Sequence, residues 1–127
     1  MLTKQDATAL NAPFDAKDHE FRTLSGRVYT YITEFGIVSR FSEVDPSWSW
    51  EVKNQRREGD AVITIGTLTV AGVSRDGIGE AVVEYGTATI DGKKVKTERQ
   101  ANEAEKSSVT DAFKRASRLF GVGSYLL

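Results

Sequence analysis

Between Trp48 and Tyr85 three strand-like runs follow one another with only short polar breaks, and that spacing constrains the fold most. Trp48, Trp50 and Val52 alternate with polar residues. Ala61 to Val73 is rich in Val, Ile and Thr, the β-branched types that suit a pleated surface. Ile78 to Tyr85 follows. No break is long enough to carry a parallel crossover, so the sheet is expected to be antiparallel. Gln55 to Asp60 and Ser74-Arg75-Asp76-Gly77 are the expected turns of this meander.

Helical signals flank it. Thr33 can cap a helix on which Ile37, Phe41 and Val44 share a face, and Asp45-Pro46 ends it. A long helix is expected from about Asn102 to Phe120, with Gly121 and Gly123 as its left-handed stop. Val109, Ala112, Phe113, Ala116 and Phe120 form its apolar stripe, and Lys114, Arg115 and Arg118 fall on the opposite side. Residues 1–25 form a polar lead-in in which Pro13 interrupts any helix, and Val28 to Ile32 is a short β-prone run. Gly86 to Gln100 is polar, with an Asp91-Gly92 turn that closes a small hairpin or stays mobile. The fold class is α+β: an antiparallel three-stranded meander flanked by helices, all within one domain spanning 1–127.

Composition narrows the function. With 127 residues the chain can bury a core. It has no cysteine, which removes disulfides and thiolate metal sites. No run approaches membrane-spanning length, and the N-terminus lacks an apolar signal core, so the expected location is the cytoplasm. There is no phosphate-cradling Gly-rich loop. His19, the only histidine, has no partner at metal-ligand spacing and is expected at the surface. No acid pair or Ser-His-Asp set suggests catalysis, so the expectation is a non-enzyme without cofactor. The net charge of −1 and pI of about 5.9 count against a nucleic-acid binder. The distribution offsets this. Acids dominate the first third, whereas cations gather at Lys53/Arg56/Arg57, Lys93/Lys94/Lys96/Arg99 and Lys114/Arg115/Arg118.

The three helical cations can hold a phosphate backbone. Equally, they can complement the helix dipole and form an ordinary Asp111–Arg115 pair on a solvated face. Tyr29, Tyr31, Trp48 and Trp50 can stack on bases, although alternating aromatics next to an amphipathic helix more often fill the core. Lys93, Lys94, Lys96 and Arg99 can guide a strand or simply be solvated.

The string Val109-Thr110-Asp111-x-x-Lys114-Arg115-Ala116-x-Arg118-x-Phe120-Gly121 strongly resembles the closing helix of the Rad-fifty-two superfamily of single-strand annealing proteins, including its DdrA-like bacterial and phage members. Tyr31-Ile32, Trp50, Asp76-Gly77 and Tyr85-Gly86 also resemble family positions, so the likeness spans nearly the whole chain. It implies an α-β-β-β-α order with a double-stranded-RNA-binding-like core, assembly of subunits into a ring, and ATP-independent annealing of single-stranded DNA in repair and recombination. Lys114 and Arg115 become the first DNA contacts and Arg118 the next, with Lys93, Lys94, Lys96 and Arg99 as a second set. Two positions depart from the family pattern. An early-helix arginine is missing near Phe35-Gly36, for which Arg40 one turn later is the candidate replacement, and Val82-Val83-Glu84 precedes Tyr-Gly. A single-strand binding protein or recombinase would be recruited by a tail beyond Leu127. The competing reading is a protein-interaction or structural module whose basic helix has no annealing activity. Binding of duplex RNA is a third.

Overall fold

In chain order the elements are α1 (Lys4–Asn11), β1 (His19–Leu24), β2 (Arg27–Ile32), α2 (Glu34–Val44), β3 (Ser49–Glu58), β4 (Ala61–Val70), β5 (Val73–Val82), β6 (Glu84–Ile90), β7 (Lys93–Arg99) and α3 (Ala101–Leu119). This computed structural model describes residues 1–99 and 101–126, and only the backbone of residues 98, 99, 101 and 102. The expected end of the polar segment at Gln100 lies outside the described residues. Strands β3, β4 and β5 form an antiparallel sheet in that order, while β1–β2 and β6–β7 are separate two-stranded hairpins. The molecule is thus α+β with the expected meander. Its element order is richer than α-β-β-β-α, because two hairpins and a first helix are added.

Strict alternation along β4 decides how the layers stack. Val62, Thr64, Gly66, Leu68 and Val70 are buried, and the residues between them are half-covered. The buried set faces α3, whose Ala104, Ser108, Ala112, Phe113, Ala116 and Ser117 are buried in turn, as is Phe120 just past its end. Contact is closest at β5. A Cβ added at Gly79 would lie 2.2 Å from the Ala112 nitrogen and from the Ser108 oxygen, and one at Gly77 would lie 2.0 Å from the Ala112 oxygen. Only glycine lets the helix backbone rest on the strand here. At the margin of the same layer Gln55 Nε2 donates to Thr64 Oγ1 at 3.0 Å and to the Glu105 carbonyl at 2.9 Å, pinning α3 to β3 and β4.

The core continues into an aromatic cluster. Ring centroids of Phe41 and Trp48 are 5.5 Å apart, those of Trp50 and Phe113 5.4 Å, and those of Phe41 and Phe113 6.1 Å. Both tryptophans are half-buried and pack against this core. Trp50 also lies across Gly66, whose missing side chain makes the room.

Several boundaries differ from those expected, each for a local reason. The β4–β5 turn is Ala71-Gly72, both with positive φ (52° and 77°), the backbone of a two-residue hairpin turn that matches strand twist. Asp76-Gly77 instead lies inside β5, where its glycine serves the helix crossing. β3 runs on to Glu58, so the expected turn at Gln55 to Asp60 shrinks to Gly59-Asp60. The polar lead-in of residues 1–25 holds two regular elements, α1 and β1. Thr3 and Asp6 form a reciprocal capping box that starts α1, and Ser25-Gly26 closes the β1–β2 hairpin. Thr33 caps α2 as expected, accepting from the Gly36 amide at 3.1 Å. Asp91-Gly92 closes β6–β7.

Substituting Gly79 by alanine should destabilise the fold by about 3 kcal/mol, the upper range for overpacking a site that cannot relax. The urea midpoint measures it, and a shift equivalent to less than about 0.5 kcal/mol would show that α3 is not seated on β5 in this way.

Candidate nucleic-acid interface

Lys114 and Arg118 are four residues apart and so share one face of α3. That face borders a cleft of about 200 Å³ between the C-terminal half of α3 and strand β2, lined by Tyr29 to Ile32 on one wall and by Lys114, Ser117 and Arg118 on the other. Ile37, Val122 and Leu126 contribute apolar lining. Tyr29 is exposed and Tyr31 half-buried, so two aromatic rings and two cations border one opening. Arg22 of β1 adds a third cation nearby, its guanidinium 5.5 Å from the centroid of the Tyr31 ring.

Arg115 does not join them. Its Nε donates to Asp111 Oδ2 at 3.1 Å, and the same oxygen accepts the Glu80 amide of β5 at 3.0 Å. Arg115 is thereby held at the edge of the sheet, exposed but directed away from the cleft's lining. The carboxylate also covers one outward-facing amide of that edge strand, a common way of blunting it.

Lys93, Lys94 and Lys96 lie on β7, part of a hairpin rather than a mobile loop. Alternation puts Lys94 and Lys96 on one face with Tyr85, Thr87 and Thr89, and Lys93 on the other with Val95. Lys96 Nζ stands 4.3 Å from the Tyr85 ring centroid, and Arg57 Nη2 donates to the Tyr85 hydroxyl at 3.1 Å. These cations form a second basic surface on the β6–β7 hairpin. Arg99 has its backbone in β7, and its side chain lies outside the described residues.

Arg40 is held by carbonyls of its own chain. Its Nη1 donates to the carbonyls of Ala9 (2.9 Å), Leu10 (3.2 Å) and Ala12 (2.8 Å), and Nη2 donates to Pro13 (3.2 Å). The guanidinium also lies 3.8 Å from the Phe14 ring centroid. It supplies donors to carbonyls at and just past the end of α1, where the helix runs out of its own amides.

His19 is half-buried rather than a plain surface residue, with Nδ1 2.8 Å from the Asp15 carbonyl and Nε2 2.9 Å from the Tyr125 hydroxyl. Among the described residues, no three His, Cys, Asp or Glu side chains gather as metal ligands, and no helix is long and apolar enough to cross a membrane.

The model of the Rad52/22 family of double-strand break repair proteins matches residues 3–127. The chain belongs to that family. No curated protein matches it significantly. For this Rad52/22 family member, the strongest family signal, the α3 string, contains both cations of the cleft. Sequence reasoning missed Arg22, because residues 1–25 carried no strand expectation. The Ser25-Gly26 pair flanked by Phe21, Leu24 and Val28 was the available signal.

Replacing Arg40 by methionine should lower stability by about 2 kcal/mol, since the carbonyls at the end of α1 lose their donors. Affinity of the folded variant for single-stranded DNA should not change. Reduced affinity in a fully stable variant, measured by fluorescence anisotropy beside a urea melt, would instead make Arg40 a DNA contact.

Proposed function

We propose that this repair-family protein binds single-stranded DNA through the β2–α3 cleft and anneals complementary strands without ATP. The observation that carries the reading is the convergence of Lys114 and Arg118 with Tyr29 and Tyr31 around one opening. Fixed cations neutralise phosphates, and aromatic faces accept bases or sugars without regard to sequence. A groove that grips the backbone leaves base edges available, so specificity comes from Watson–Crick pairing between the two strands. No nucleotide, metal or covalent step is required, and the protein acts as a binding surface rather than an enzyme. In this reading the β6–β7 hairpin, with Lys94 and Lys96, forms a second contact along the same strand, and Arg115 contributes at the margin.

Two or three cations per subunit bind weakly and are strongly screened by salt. Linking many such clefts raises the effective concentration of each after the first has bound. Self-association, with a ring as its closed form, is therefore part of the proposal. So is a double-stranded-RNA-binding-like relationship of α3 to the meander, and work in the cytoplasm with a single-strand binding protein or recombinase as a further partner.

Lys114→Ala/Arg118→Ala should reduce single-stranded DNA affinity by roughly 25-fold near 0.1 M salt, and flatten the slope of log K against log salt by about 1.4, the counterion contribution of two phosphates. Anisotropy titrations at several salt concentrations test this. An unchanged slope would place the phosphate contacts elsewhere, and no binding by the wild type at low salt would favour the interaction-module reading.

A further inference from the structure

The β6–β7 hairpin is an arm that forms its own two-stranded sheet beside β3, β4 and β5. A single residue, Val83, separates its first strand from the end of β5. Val83 is buried with Val62 and Ala104, and its amide donates to the Asp60 carbonyl at 2.8 Å. These contacts fix the root of the arm. A joint of one residue still has two soft dihedrals, so the direction of the arm is set by further contacts.

Tyr85 supplies one. Its hydroxyl donates to Asp60 Oδ1 and accepts from Arg57 Nη2 at 3.1 Å, using both roles open to a phenol. Arg57 is in turn held to the β3–β4 turn, with Nε donating to the Gly59 carbonyl at 2.9 Å. Asp60 thus grips the arm twice, by its backbone at Val83 and by its side chain at Tyr85. On the arm itself Lys96 stands over the Tyr85 ring, with Nζ 4.3 Å from the centroid across one diagonal of the β6–β7 ladder. One side chain therefore joins the body of the protein to a cation of the arm, and Lys94 shares that face.

The arm stands within reach of the cleft. Ala104, against which the root packs, and Lys114 are ten positions apart on α3, about 15 Å along the helix axis. At about 3.4 Å per stacked nucleotide, a strand seated in the cleft covers that distance in about five nucleotides. Whether Lys94 and Lys96 then meet its phosphates depends on the direction in which the arm is held. An arm free to swing has to be ordered by the DNA itself, at a cost in affinity.

We propose that Tyr85 is a positioning residue for DNA binding: by tying the arm to the β3–β4 turn, it presents Lys94 and Lys96 to the strand that the cleft holds. The assignment rests on the arm being the second contact of the proposed function. Tyr85 acts through its hydroxyl and through Lys96, without touching the strand.

The test is a mutant cycle read by fluorescence anisotropy on an oligothymidine of roughly 20 nucleotides, several times that span. Tyr85→Phe keeps the ring and loses both hydroxyl bonds. In protein that circular dichroism shows to be folded, it should weaken binding roughly fivefold, because the cost of ordering two lysines passes to the complex. In the Lys94→Ala/Lys96→Ala background the same substitution should change nothing, since the arm then has no cations to place. Asp60 supplies the conservative control. Asp60→Asn retains an acceptor for the hydroxyl and should bind more tightly than Asp60→Ala, although the two carry the same charge. Tyr85→Phe binding as the wild type does, an equal loss with Lys94 and Lys96 already gone, or indistinguishable Asp60 variants overturns the inference. If Lys94→Ala/Lys96→Ala itself binds as the wild type does, the second contact of the proposed function falls and the inference with it. A loss there that Tyr85→Phe does not reproduce removes only the role of Tyr85.

Discussion

The contact between the backbone of α3 and strand β5 at Gly77 and Gly79 is the constraint on which the remaining structure depends. No side chain separates the two elements there, so the helix has one permitted height and crossing point on the sheet. From that point the helical repeat places everything else. Phe113 and Phe120 enter the aromatic core with Phe41, Ala112 and Ala116 meet the strand, and Lys114 and Arg118 emerge beside β2. The cleft is a consequence of that crossing, since shifting the helix by one turn would carry its cations past the tyrosines.

Much of this was legible in the chain. The period of α3, the strand character of Ala61 to Val73, the Thr33 cap and the Asp91-Gly92 turn all correspond to observed elements, because each depends on neighbours close in sequence. Other features are decided by distant partners. Asp76-Gly77 has the composition of a turn, but its glycine answers to Ala112 and Ala116, more than thirty residues away. Arg40 looks like a cation one turn from a missing arginine, yet α1 captures it through four carbonyls. Helical periodicity grouped Lys114, Arg115 and Arg118 on one side. Asp111, itself engaged by β5, separates Arg115 from the other two. The family resemblance carried the fold class and the DNA-repair assignment further than periodicity alone could.

A net charge of −1 is compatible with the proposed nucleic-acid surface where charges are grouped locally. Acids sit where they cap, pair or remain on the outer sheet face: Asp6 caps α1, Asp111 holds β5 and Arg115, and Asp76 and Glu80 point away from α3. Lys114 and Arg118 border the β2–α3 cleft, and Lys94 and Lys96 share one face of the β6–β7 hairpin. In the proposed function it is this local grouping, rather than total charge, that attracts a polyanion.

The most direct test of the cleft as an annealing surface is the rate at which two complementary oligonucleotides pair in the absence of ATP, with wild type compared with Lys114→Ala/Arg118→Ala. The account predicts that the wild type accelerates pairing, while the variant, folded and in the same assembly state, does not. Equal acceleration by both proteins, or none by the wild type at low salt, would contradict it.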